Sequence, residues 1–179
     1  MTKLVVLSGC SGGGKTTLLE ELARRGYPCV PEPGRRVILA EEKAGGEALP
    51  WENLTRFAEA AMRMAMTDIA QWSESEDWVF CDRGLVDAAA ALAHLSGNPL
   101  NTYLKHMPRY HTTVFMTPPW AEIYRQDDQR RHDFTAAKQE YDRLLQAYPD
   151  AGYEPVVLAK VSVQQRADDV LRMLGKFSH

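Results

Sequence analysis

The chain has 179 residues, with 45 % hydrophobic and 25 % charged residues and a formal charge of −3. That is enough chain for one α/β domain with a sizeable core, and the slight acidic balance argues against nucleic acid as the default partner. Three well-separated cysteines, Cys10, Cys29 and Cys81, offer neither a disulfide framework nor a zinc site and fit a reducing cytosol, so the expected location is cytoplasmic; no apolar run reaches membrane-spanning or signal-peptide length.

Leu4 to Leu7 is a short run of strand formers that leads into Gly9, Cys10, Ser11, Gly12, Gly13, Gly14, Lys15, Thr16 and Thr17. Gly9 and Gly14-Lys15-Thr16 stand at the spacing of the G-x-x-x-x-G-K-[ST] phosphate loop, with a strand before it and a helical pattern after it. A loop that wraps polyphosphate turns its N–H groups inward, which the four glycines permit, and the helix from about Lys15 aims its positive end at the same anion. Lys15 is placed to reach the β- and γ-phosphates of ATP and the Thr16 hydroxyl to bind Mg²⁺. The competing reading is a glycine-rich turn with a stray lysine. Cys10 reads as a small loop residue, or as a reactive thiol beside a helix N-terminus.

Leu18, Leu19, Leu22 and Ala23 carry the first helix to about Arg25, and Gly26 stops it. Tyr27 to Val30 reads as the second strand, followed by a stiff polar turn over Pro31 to Arg36 and a helix from Arg35 to Glu42. Lys43 to Pro50 reads as a loop. Trp51 to about Ser73 is the longest helical pattern; Phe57, Met62, Met64 and Met66 widen its apolar face, either as core or as one wall of a substrate pocket.

Trp78 to Cys81 is a continuous apolar run, the mark of a buried parallel strand, and it ends in Asp82-Arg83-Gly84. A helix follows to Leu95, then a short helical piece from Leu100 to Met107, then a fourth strand from Thr112 to Met116. Thr117-Pro118-Pro119 has the pattern of a helix start, and residues 121–131 are densely charged. Phe134 to Tyr148 is a further helix, Pro155 to Leu158 the fifth strand, and Ser162 to Leu174 the closing helix.

Alternating strands and helices predict a three-layer α/β fold, a five-stranded parallel sheet with helices on both faces, in one domain spanning residues 1–179. Ligands gather at the carboxyl ends of such strands, and the chemically interesting segments all fall there. Asp82, at the end of a buried strand, reads as the acid that meets Mg²⁺ or, alternatively, as a helix N-cap. Asp87 is either a second site residue or a first-turn dipole acid. Glu32 can orient or deprotonate an acceptor hydroxyl, and Arg35 or Arg36 can hold a substrate anion, against a plain surface turn. Arg125, Arg130 and Arg131 can close over a triphosphate, against a solvated helix paired with Glu122, Asp127 and Asp128.

The ordered set Gly9-x-x-x-x-Gly14-Lys15-Thr16, Glu32-Pro33-x-Arg35, Asp82-Arg83-Gly84-x-x-Asp87 and Pro118-Pro119-Trp120-x-x-Ile123-Tyr124-Arg125 resembles small P-loop proteins grouped under an AAA-domain, ATP-binding label and related to bacterial nicotinamide-riboside kinases. The Glu-Pro and Asp-Arg placements are also similar to nucleoside and thymidylate kinases. The likeness covers nearly the whole chain. It implies a nucleoside-kinase-like P-loop fold with an arginine-bearing lid over about 118–133, ATP and Mg²⁺ as cofactors, and a small nucleoside-like acceptor near Glu32, Arg35, Arg83 and Asp87. Arg83 stands where a motor ATPase carries a water-activating glutamate, and no N-K-x-D guanine motif is present. Both absences favour small-molecule phosphoryl transfer; a nucleotide-binding module that hydrolyses ATP slowly and signals to a protein partner is the alternative.

Overall fold

The structure is a computed structural model and describes residues 2–124 and 133–175. Five strands, β1 (Leu4–Gly9), β2 (Cys29–Val30), β3 (Val79–Asp82), β4 (Thr113–Thr117) and β5 (Glu154–Val157), form one parallel sheet in the order β2-β3-β1-β4-β5. The register sets Leu7 beside Asp82 on one flank and beside Phe115 on the other. The phosphate-loop strand is therefore central, and its carboxyl end lies next to that of the Asp82 strand.

Strand residues alternate between two buried faces, which is why the strands read as unbroken apolar runs. Val5, Leu7, Phe80 and Phe115 face one side, with Leu18 and Leu22 of α1 (Lys15–Arg24) and Val170 and Leu171 of α7 (Val163–Met173). Leu4, Val6, Val79 and Cys81 face the other. There they meet Ala65 and Ile69 of α3 (Leu54–Trp72), Leu85 and Val86 of α4 (Leu85–Ser96), and Leu144 and Tyr148 of α6 (Phe134–Asp150). Among the described residues no helix is long and apolar enough to cross a membrane.

Some expected element bounds are corrected. The helix α2 spans Pro33–Ala44 rather than starting at Arg35. Pro33 sits at its first position, where a missing N–H costs nothing, so the expected turn is already helix. The long helix starts at Leu54, capped by the Asn53 side chain, which accepts from Arg56 N; Trp51 lies in the preceding turn. No α-helix follows Thr117-Pro118-Pro119, only a 3₁₀ turn at Ala121–Ile123. A proline disfavours helical geometry in the residue before it, so paired prolines extend the chain. The short piece expected over 100–107 shortens to α5 (Asn101–Leu104).

Candidate functional site

The phosphate loop joins β1 to α1 and is held from behind. Cys10 N donates to the Thr117 carbonyl at 2.8 Å, and Cys10 is buried rather than presented as a reactive thiol. Two glycines are dictated by close approach as well as by left-handed backbone. A Cβ at Gly9 (φ 120°) would stand 2.4 Å from the Thr117 carbonyl oxygen, and one at Gly12 (φ 78°) 2.6 Å from the Tyr124 ring. Gly13 and Gly14 lead into α1, whose first turn carries Lys15, Thr16 and Thr17, the two threonines exposed.

Lys15 is 3 % exposed, and its Nζ lies 3.4 Å from Oδ1 of Asp82. That oxygen is buried yet accepts no hydrogen bond. Buried polar atoms are normally satisfied, so an orphaned carboxylate oxygen beside a phosphate loop marks a position that a ligand completes. Among the described residues no three His, Cys, Asp or Glu side chains cluster to cage a metal. One carboxylate, together with the hydroxyl of Thr16 in the first turn of α1, is a donor set that suits Mg²⁺, which keeps waters and arrives with substrate phosphates rather than in an all-protein cage.

Arg83 comes next, at a left-handed φ of 56°, uncommon for a side chain other than glycine. Such backbone strain gathers at functional sites. Its Nη2 donates to the Gly9 carbonyl at 3.1 Å and its Nη1 to Asp87 Oδ1 at 3.1 Å, with Glu140 of α6 at 3.4 Å. Burial alone would depress the Arg83 pKa, but Glu140, Asp87, Glu32 and Asp82 outweigh it and raise it, so the guanidinium stays charged. Asp87 is saturated: it accepts from Ser8 Oγ, Arg83 Nη1, Gly84 N and the Tyr148 hydroxyl. Burial and the Asp87 charge push the Tyr148 pKa well up, which keeps that hydroxyl a donor.

These groups border a cleft of about 420 Å³ that runs from Ser11 and Lys15 to Trp51 and His94. Glu32, just before α2, and Arg35 in its first turn line it, 3.6 Å apart. Phe57, Ala58 and Ala61 of α3 and Ala88 and Ala91 of α4 form apolar walls. The cleft therefore has a charged end at the phosphate loop and an apolar, aromatic-rimmed body, the usual make-up of a small-molecule pocket.

The cleft thus brings together Ser11, Lys15, Glu32, Arg35, Arg83 and Asp87; Asp82 does not line it but pairs with Lys15, which does. Arg36 turns away and pairs with Asp68 of α3 through two hydrogen bonds, which ties α2 to α3. Arg125, Arg130 and Arg131 lie outside the described residues. Sequence reasoning missed Glu140, His94 and Arg143, which also line the cleft. No motif marks them, and only the packing of α6 and α4 against the phosphate-loop side brings them in.

A family model described as an AAA domain matches residues 4–166. The chain belongs to this AAA-domain family, AAA_28. No match is found among curated proteins. Among solved structures it is similar to NadR in complex with NR, at 17 % identity over 99 % of this chain and 52 % of that one, with a TM-score of 0.72. It is also similar to thymidylate kinase from Ehrlichia chaffeensis, at 14 % identity over 96 % and 97 % of the two chains, with a TM-score of 0.64. Deoxyadenosine kinase from M. mycoides with bound dATP matches at 15 % identity over 96 % and 99 %, with a TM-score of 0.63. At these identities the likeness carries the fold: AAA_28 here is a P-loop fold of the nucleoside-kinase type.

Proposed function

We propose that this AAA_28 protein is an ATP-dependent phosphotransferase that moves the γ-phosphate to a hydroxyl of a small, nucleoside-like molecule. The observation that carries the reading is how far the cleft extends beyond the phosphate loop: a carboxylate, Glu32, and a fixed cation, Arg83, share it with Lys15 and with an apolar body large enough for an acceptor. A protein that only holds or hydrolyses ATP has no use for it. That the neighbours of this fold include nucleoside and nucleotide kinases by name adds support.

In this reading Gly9 to Thr17 cradle the triphosphate, and Lys15 meets the β- and γ-phosphates. Thr16 and Asp82 hold Mg²⁺, which supplies charge neutralisation on the phosphates when bound. Glu32 orients the acceptor hydroxyl and takes its proton as the oxygen attacks the γ-phosphorus; the bond from phosphorus to the β,γ-bridging oxygen breaks, and ADP leaves with that electron pair. Arg83 steadies the acceptor oxygen, and Asp87, with all its acceptor positions in use, holds Arg83 in place. Arg35 meets an anionic or polar group farther along the acceptor.

The test is a panel of nucleosides and other small hydroxyl compounds with ATP and Mg²⁺, read for phosphorylated product rather than for ADP. Glu32→Gln keeps ATP affinity and lowers product formation by about 10²–10⁴-fold, the range for general-base help. ADP release with no acceptor product from any compound, unaffected by Glu32→Gln, returns the protein to a binding or slow-hydrolysis module.

A further inference from the structure

Arg166 is a buried cation, 2 % exposed, and no acidic partner is seen for it among the described residues. It stands in the first turn of α7, whose other buried positions, Ala167, Val170 and Leu171, are apolar. Its Nε donates to the Ala159 carbonyl at 2.8 Å and its Nη1 to the Gly13 carbonyl at 2.7 Å. Its Nη2 is buried and makes no hydrogen bond, and the guanidinium carbon lies 4.9 Å from the centre of the Trp120 ring. Burial pulls its pKa down. An unpaired charge held out of water is costly, and a methionine would fill the same space without that cost.

The three groups it touches belong to three different segments: Gly13 to the phosphate loop, Ala159 to the loop after β5, and Trp120 to the stretch after β4. In-line phosphoryl transfer sets donor and acceptor on opposite sides of the γ-phosphorus. The acceptor cleft opens on the β2–β3 side of β1, through Glu32 and Arg83. A nucleotide held by the phosphate loop with its γ-phosphate towards that cleft would carry its base-bearing half to the other side of β1, over β4 and β5, the side on which Trp120 and Ala159 lie.

Resting on the nucleotide-binding reading above, we infer that Arg166 is a positioning residue that locks the phosphate loop to the loop after β5, so that the phosphates and the base-bearing half of the nucleotide meet one preorganised site. Arginine suits the task because its planar fork spans two carbonyls at once; a lysine reaches only one of them.

The experiment is calorimetry on the full chain with Mg²⁺, titrating ATP and, separately, inorganic tripolyphosphate into wild type, Arg166→Met and Arg166→Lys, with thermal unfolding to establish that each is folded. Losing both hydrogen bonds in Arg166→Met weakens ATP by about tenfold or more and tripolyphosphate by about threefold or less, since the latter never meets the β5 side. Arg166→Lys, which keeps one of the two hydrogen bonds, lies between, with a smaller fall in the ATP-to-tripolyphosphate ratio in the same direction, and decides the matter if the methionine variant does not fold. Equal losses for both ligands overturn the link to the β5 loop, because a general weakening of the fold moves both alike. Unchanged affinities in folded variants overturn the inference while leaving the nucleotide site intact. Wild type that binds neither ligand overturns the nucleotide reading and, with it, the role of Arg166.

Discussion

Lys15 and Asp82 stand 3.4 Å apart with the facing oxygen of Asp82 otherwise unsatisfied, an arrangement that, in the proposed function, a bound nucleotide and its metal would complete. Lys15→Ala removes the cation that the proposed function sets against the β- and γ-phosphates. ATP affinity measured by calorimetry then falls by about 10–100-fold, the size of a lost charge-assisted hydrogen bond, with the fold kept; unchanged affinity would sink the phosphate-loop assignment. Asp82→Asn keeps the size and removes the charge. Turnover falls far more than ATP binding, because a metal held there acts mainly on charge in the transition state. If turnover holds, the metal acid lies elsewhere. The phosphate loop was legible at this scale because its residues are contiguous and its glycines have no other reason to crowd together. Arg36 was not: as a sequence neighbour of Arg35 it reads the same, and only its partner Asp68, 32 positions away, removes it from the cleft.

Among the elements, α1 and α7 are joined by a chain of charges on the sheet face away from the acceptor cleft. Glu21 accepts from Arg24 and Arg25, and Arg25 also donates to Asp168 of α7 at 2.7 Å. The hydrogen bond from Arg24, then that from Arg25, lowers the Glu21 pKa from its ordinary 4.5 to about 2. The folded state therefore holds that proton less tightly than the unfolded chain. The stabilisation is fully present above pH 4.5 and is lost as pH falls towards 2. Urea unfolding across that window should show wild type and Glu21→Gln converging as the pH drops; a constant gap would mean that the pair does not couple to folding. Helix and strand order were readable from periodicity, since nearly every buried face repeats at the expected spacing. The starts were less so wherever prolines cluster. Pro33 opens a helix because its own position is the first of α2, whereas the Pro118-Pro119 pair leads only into a 3₁₀ turn, and a proline count alone does not separate the two cases.

At the scale of the whole molecule, the sheet order puts the phosphate loop at the middle and gives it two neighbours with different work: the β3 and β2 ends carry the charged mouth of the cleft, and the β4 and β5 ends carry Trp120, Ala159 and Arg166. That division was legible in outline, because the candidate residues already fell after the right strands. The body of the cleft was legible only in part: of the α3 residues that read as core or as one wall of a substrate pocket, Phe57 lines it whereas Met62, Met64 and Met66 do not, and the small Ala58, Ala61, Ala88 and Ala91 that form the rest carry no chemical signal in a sequence. The same geometry allows the acceptor side to be closed without touching the nucleotide side. Ala91 lies one helical turn beyond Asp87 and Ala88 on the cleft-lining stripe of α4, away from the phosphate loop. Ala91→Phe fills the cleft body with an apolar ring. In a phosphotransferase this leaves ATP affinity and the thermal shift on ATP binding as in wild type, and raises the KM for whichever acceptor the metabolite panel yields, or abolishes its phosphorylation. If product formation is instead unaffected by Ala91→Phe, the acceptor does not occupy this cleft. Glu32 and Arg83 would then have to be reassigned to holding the phosphate loop itself, as the hydrogen bond from Arg83 to the Gly9 carbonyl already allows.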